Sequence, residues 1–131
     1  MKKMAVVVSE FNSDITEKML DECLKGFKEQ NIDPIVVKVP GALEIPFAAQ
    51  ELILKKKVSV IVSLGLVLKG DTDHYDRVCE MCSNGIMEIS LKYRVPIIFE
   101  VLMCKKRSDA VKRIKKAYEA SYLATKMLKI L

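Results

Sequence analysis

Val58 to Leu68 (VSVIVSLGLVL) is the stretch that most limits what this chain can fold into. It is apolar throughout apart from small residues such as Ser63 and Gly65, so both faces of the element it forms must be covered. A strand covered on both faces belongs in a parallel sheet with helices on either side. The run is too short to cross a bilayer, and Lys69 closes it. Beyond Gly70, Thr72 or Asp73 can cap a helix whose apolar positions Val78, Met81, Cys82, Ile86 and Ile89 recur at helical spacing. His74 then falls in the first helical turn, just past the carboxyl end of a parallel strand, where open α/β sheets place ligands.

The rest of the chain repeats this pattern. Met4 to Ser9 reads as a first buried strand, followed by a loop at Phe11 and Asn12. Asp14 with Glu17 suggests a capping box for a helix to about Gln30, with Ile15, Met19, Cys23 and Phe27 stacked along one face. Asp33 to Val39 is a second strand, broken by Pro40-Gly41. Glu44 to about Lys55 is a second helix burying Ile45, Ala48, Ala49, Leu52 and Ile53, with Pro46 tolerated in its first turn. The third helix runs to about Tyr93. Ile97 to Leu102 is the fourth strand, and Ser108 caps a last helix to the carboxyl terminus. This βαβαβαβα order predicts a three-layer α/β/α sandwich around a four-stranded parallel sheet in flavodoxin-like order 2-1-3-4. Three loops then meet at the carboxyl edge of the sheet: Phe11-Asn12, Gly41-Ala42-Leu43-Glu44, and Lys69 to His74.

With 131 residues, half of them hydrophobic, the chain is expected to form one domain with a substantial core. The formal charge of +5 permits anionic ligands without requiring them. Much of it is concentrated in Lys105, Lys106, Arg107, Lys112, Arg113, Lys115 and Lys116. These read as the solvated face of the last helix rather than as a nucleic-acid surface, because no aromatic residue lies between Met103 and Ala117 to stack on bases. No amino-terminal signal or membrane span is visible, so a cytoplasmic protein is expected. Four cysteines fit reduced, mostly buried thiols. Cys79 and Cys82 form a CxxC inside a predicted helix, which favours packing over redox or metal duty. One histidine among scattered acids gives no metal-ligand spacing, and neither a Walker loop nor GxGxxG is present.

Each candidate residue has two readings. The helix starting near Thr72 offers N–H groups and a positive dipole end to an anion, and Gly70 allows close approach. Asp71 and Asp73 oppose an anion, and the same residues also make an ordinary turn and cap. His74 is either a proton shuttle or an exposed residue with no task. Glu44 either complements a helix dipole or accepts hydrogen bonds from a ligand. Phe11 and Phe99 either sandwich a flat ring or pack in the core.

FNSDIT (Phe11 to Thr16), VPGALEIPFAA (Val39 to Ala49), LGLVLKGDTDHYDRVC (Leu64 to Cys79) and VPIIFEVL (Val95 to Leu102) together resemble the lumazine synthase family of riboflavin biosynthesis. The likeness keeps its order and spacing from about Met4 to Arg113, and VPGAxEIP followed by GxTxH is a specific combination. It implies a flavodoxin-like fold and a transferase without metal or organic cofactor. The implied reaction condenses a ribitylamino-pyrimidinedione with a four-carbon ketone phosphate, releasing phosphate and water. By position, Phe11 would stack on the pyrimidine beside Asn12. Gly41, Ala42, Leu43 and Glu44 would line the ribityl pocket, and Val67, Leu68 and Lys69 would contact the ring edge. Asp71 and Thr72 would offer N–H groups to phosphate, and His74 would transfer protons. Family sites form between neighbours of a homopentamer, so Phe99 and Arg113 would come from the adjacent subunit, Arg113 pairing with phosphate.

The sequence also departs from the family pattern. Glu100 stands where a glycine is usual, and Met103-Cys104 where two threonines are usual. No glycine-containing bend follows Arg113, and an ungapped alignment puts Ser121 where the family has a phosphate-binding lysine. The amino-terminal segment that joins a neighbour's sheet in many members is not seen, so a pentamer is expected and a larger shell is left open. The alternatives are an archaeal-type riboflavin synthase, which shares the fold, and a non-catalytic assembly protein.

Overall fold

In the computed structural model, residues 2–70 and 73–130 are described. The two central strands, β1 (Met4–Ser9) and β3 (Val60–Leu68), are buried at every position. β2 (Ile35–Val39) and β4 (Ile97–Cys104) flank them, giving a parallel sheet of four strands in the order β2-β1-β3-β4. Alternation along β1 and β3 divides the core in two. Val6, Val8, Val62 and Leu64 face α1 (Ser13–Glu29), α4 (Arg107–Val111) and α5 (Lys116–Leu128). Ala5, Val7 and Ile61 face α2 (Ile45–Lys56) and α3 (Tyr75–Tyr93). Each fully buried Val, Leu or Ile adds about 1.5–3 kcal/mol, so these two layers account for the uninterrupted apolar character of both strands. Ser63 is tolerated because its hydroxyl donates to Ile98 O at 2.8 Å.

Several boundaries differ from the sequence expectation. β2 begins at Ile35, not Asp33, because Pro34 has no N–H for the ladder. β3 begins at Val60 rather than Val58, and β4 continues past Leu102 to Cys104, following its partner as far as the Leu68–Cys104 pair. The capping box is absent: α1 starts at Ser13 behind a left-handed Asn12, without a side-chain cap, and Asp14 pairs with Arg107. Glu44 ends a short 3-10 turn, Ala42–Glu44, and α2 begins at Ile45, with Pro46 in its first turn.

α3 begins at Tyr75, so His74 is the residue before the helix rather than part of its first turn. Asp73 lies in the preceding turn, and the capping proposed for Thr72 falls outside the described residues. Met81, expected in the core, is exposed.

The last predicted helix is two helices, α4 and α5, and Ser108 does not cap either of them. Between them the backbone tightens: Arg113 N donates to Ala110 O and Lys116 N to Arg113 O, each three residues back. Lys112, Arg113, Lys115 and Lys116 would stack like charges three and four residues apart on a continuous α-helix, which disfavours it here. The helix is thus interrupted at residues that include no glycine.

Candidate active site

Backbone hydrogen bonds bring the ends of β1 and β2 together: Glu10 N donates to Val39 O at 2.7 Å and Phe11 N to Pro40 O at 3.0 Å. Asn12, at φ 65°, turns the chain into α1, and its Nδ2 donates to Leu66 O at 3.3 Å. Asparagine tolerates this left-handed conformation better than most residues. Phe11 is left 56% exposed above the sheet edge. Across from it, Gly41 leads into the 3-10 turn, with Glu44 N donating to Gly41 O at 3.2 Å. The Glu44 carboxylate folds back over Gly41, where an added Cβ would stand 3.2 Å from Oε1.

Together these residues enclose a cavity of about 230 Å³, with Phe11 on one side, the Gly41–Glu44 turn on another, Leu66 and Val67 at the end of β3, and Val78 of α3. It is mostly apolar, with one carboxylate at its rim. A wider cavity of about 580 Å³ lies at the start of α3, lined by Lys69, Gly70, Asp73, His74 and the first turns of the helix. Gly70 has φ +105°, and a Cβ there would meet nothing within 4 Å. The loop therefore needs glycine for its conformation and leaves open space above it. The N-terminal N–H groups of α3 and its positive dipole end lie at this cavity.

His74 stands beside the first turn of α3, which borders both cavities. It lines the wider one, and its carbonyl accepts from Val78 N at 2.9 Å, one turn into the helix, where Val78 lines the narrower one.

Among the described residues, six of the candidates (Phe11, Gly41, Ala42, Leu43, Glu44 and Val67) share the narrow cavity, and Lys69 and His74 share the wide one. Leu66 and Val78 had not been singled out. Val78 could have been found from its position one helical turn after His74. Leu68 is buried in the core layer shared with α1 and α5. Asn12 is tied to β3, and Asp71 and Thr72 lie outside the described residues. Phe99 lies on the edge strand β4, 39% exposed, and Arg113 rests on Cys104, with Nη1 3.4 Å from Sγ.

The departures from the resemblance also have positions. Glu100 is half-buried with Lys116 and Glu119 as its charged neighbours; burial raises its carboxyl above the usual range, and Lys116 partly opposes this. It therefore belongs to the α5 side, while Phe99, its neighbour along the strand, points the other way. Ser121 is fully buried against Gly26 of α1, where it could not meet a soluble ligand. Burial pushes the Cys82 thiol up to about 11 and raises Cys79 as well, so the CxxC pair is protonated at neutral pH, as core packing predicts. Among the described residues, no three of the His, Cys, Asp and Glu side chains come together as a metal-binding group, and no helix is long and apolar enough to cross a membrane.

Asn12 provides one test of this loop. Asn12→Gly keeps the left-handed turn and loses the tie to Leu66 O, whereas Asn12→Ala loses both. Asn12→Ala is expected to cost about 1–2 kcal/mol in a urea melt and Asn12→Gly clearly less. Equal losses would show that the backbone conformation is not the main term.

The chain matches, over residues 1–131, the family described as 6,7-dimethyl-8-ribityllumazine synthase. It is 43% identical over 114 residues to the 6,7-dimethyl-8-ribityllumazine synthase of Coxiella burnetii (strain Dugway 5J108-111), covering 85% of this chain and 76% of that protein. It is 36% identical over 134 residues to the protein of the same name from Limosilactobacillus reuteri (strain DSM 20016), covering 98% of this chain and 87% of that protein.

Proposed function

The chain belongs to the 6,7-dimethyl-8-ribityllumazine synthase family, and from that premise we propose how its two cavities divide the work. The function is that of a transferase of riboflavin biosynthesis. It condenses 5-amino-6-ribitylamino-pyrimidinedione with 3,4-dihydroxy-2-butanone 4-phosphate to 6,7-dimethyl-8-ribityllumazine, releasing phosphate and water. The relatives favour neither a riboflavin synthase of archaeal type nor a non-catalytic assembly protein.

The observation that carries the division is the pairing of a narrow apolar cavity, with Glu44 at its rim, and a wide cavity at a helix N-terminus, both bordered by the first turn of α3. A flat pyrimidinedione suits the narrow one, with Phe11 against its face and Val67 at its edge. The ribityl hydroxyls then reach the Gly41–Glu44 turn, where the carboxylate accepts hydrogen bonds. The ketone phosphate is assigned to the wide one, where Lys69, Arg77 and the N-terminus of α3 attract its charge against the opposing carboxylates of Asp73, Asp76 and Glu80, and Gly70 leaves room. Holding both substrates there places the 5-amino group against the ketone carbon, and this proximity supplies much of the rate. The amine adds to the carbonyl and water leaves, giving the imine. Loss of a proton from carbon then expels phosphate and leaves an enol, which becomes a second carbonyl; the ribityl-bearing nitrogen adds to that carbonyl and a second water leaves, closing the ring. His74 takes and returns protons between these steps.

The proposal extends to a homopentamer with sites shared between subunits. Phe47 is 65% and Leu91 71% exposed, and with Leu54, Met81 and Met87 they leave the α2–α3 layer with apolar side chains uncovered. Phe99, on the edge strand, and Arg113 would complete a neighbour's cavities. No cofactor enters these steps, and four free thiols fit a cytoplasmic location.

The decisive experiment mixes the purified protein with both substrates and follows lumazine absorbance against the uncatalysed rate, alongside native mass spectrometry. Acceleration by a pentamer or a larger assembly is expected. A folded protein that gives no acceleration would overturn the activity, a monomer would overturn the shared site, and riboflavin formed from lumazine alone would point to the paralogous reaction.

A further inference from the structure

Cys104 touches two residues that the sequence leaves unrelated, Lys69 and Arg113. Its carbonyl accepts from Lys69 N at 3.0 Å, so it adjoins the loop that heads the wide cavity. Its side chain turns into the layer of α4 and α5, only 2% exposed. There its sulfur accepts from Arg113 Nη1 at 3.4 Å. Arg113 is an exposed residue in the interruption between the two helices, with its own N–H on Ala110 O at 2.9 Å.

An exposed arginine loses much rotamer freedom whenever it is used, and a fixed acceptor beneath the guanidinium reduces what binding must still order. The type of acceptor matters as well. A carboxylate in this place would pair with the guanidinium and compete with an incoming anion. A thiol is neutral and a weak acceptor, so it holds one N–H and leaves the other donors of the fork available.

We propose that Cys104 is a positioning residue, whose sulfur holds the Arg113 guanidinium ready for the phosphate of the ketone substrate. This rests on the reading of Arg113 as a phosphate partner at the neighbouring subunit's site.

Steady-state kinetics on the assembled protein test it, with folding checked by circular dichroism and with Cys104→Ala replacing Cys104→Val if the latter does not fold. Cys104→Val should raise the KM for the ketone phosphate about threefold to tenfold, the scale of one hydrogen bond, and leave that for the pyrimidinedione within about twofold. Cys104→Ser keeps an acceptor and should recover most of the loss. In an Arg113→Ala background, adding Cys104→Val should have no further effect on the ketone-phosphate KM.

Three results would overturn the proposal while sparing the role of Arg113: no change in Cys104→Val although Arg113→Ala raises the ketone-phosphate KM, an equal rise for both substrates, or an undiminished effect without Arg113. An Arg113→Ala variant with an unchanged ketone-phosphate KM would instead remove the phosphate role of Arg113, and the proposal with it.

Discussion

His74→Ala is expected to lower kcat about a hundredfold at saturating substrates, the low end of the usual range for loss of a proton-transferring side chain. The KM for the pyrimidinedione should stay within about threefold, because His74 lines the wide cavity and is not among the residues around the narrow one. Two features place the effect at the low end. Proximity of amine and ketone survives the substitution, and the N-terminus of α3 stays where it is, since His74 holds Val78 N through its backbone carbonyl. Added imidazole should restore part of the rate in the alanine variant, whereas a purely structural histidine would not be rescued this way. A raised pyrimidinedione KM with unchanged kcat would make His74 a binding residue and leave the proton transfer without an agent.

The second large effect is on stability. At Gly26, α1 and α5 meet so closely that an added Cβ would stand 1.9 Å from Ser121 Oγ, 3.0 Å from Ser121 Cβ and 2.9 Å from Tyr118 O. Ser121 is fully buried and its hydroxyl donates to Tyr118 O at 2.7 Å, so it has nowhere to move.

On an exposed helix, Gly→Ala would stabilise by about 1 kcal/mol through propensity. Here overpacking outweighs that gain, and Gly26→Ala is expected to destabilise by about 2–3 kcal/mol in urea unfolding. Adding Ser121→Gly removes two of the three clashes but not the one with the Tyr118 carbonyl, so recovery should be partial. A stabilised Gly26→Ala would mean that the helices can separate at little cost.

Much of the architecture was legible because it depends on burial, which composition records directly. β1 and β3 carry no charged residue and interrupt their apolar side chains only with the small Ser9, Ser63 and Gly65, so they had to be central; β2 and β4 carry Lys38 and Glu100, as edge strands can. The narrow cavity was legible for a related reason. Phe11 and the Gly41–Glu44 turn follow the carboxyl ends of β1 and β2, Val67 lies at the carboxyl end of β3, and parallel strands bring those ends together.

What failed were local signals with a nonlocal competitor. Asp14 with Glu17 reads as a capping box, yet Asp14 pairs with Arg107, which lies far along the chain. Met81 has helical core spacing but falls on the uncovered side of α3. Ser108 has a capping residue's chemistry, but the helix starts at Arg107 without a side-chain cap.

By itself, then, the sequence determined the class of fold, the strand order, the edge of the sheet that carries chemistry and the family, because hydrophobic patterning and short motifs are properties of contiguous residues. Tertiary structure alone decided that Glu100 lies on the α5 side, that Ser121 packs into Gly26, and that Cys104 lies under Arg113. Each of these depends on which side of an element meets which neighbour across many intervening residues. A pattern of period two or 3.6 says only that a residue faces inward or outward, and the partner it meets is set by how the layers stack.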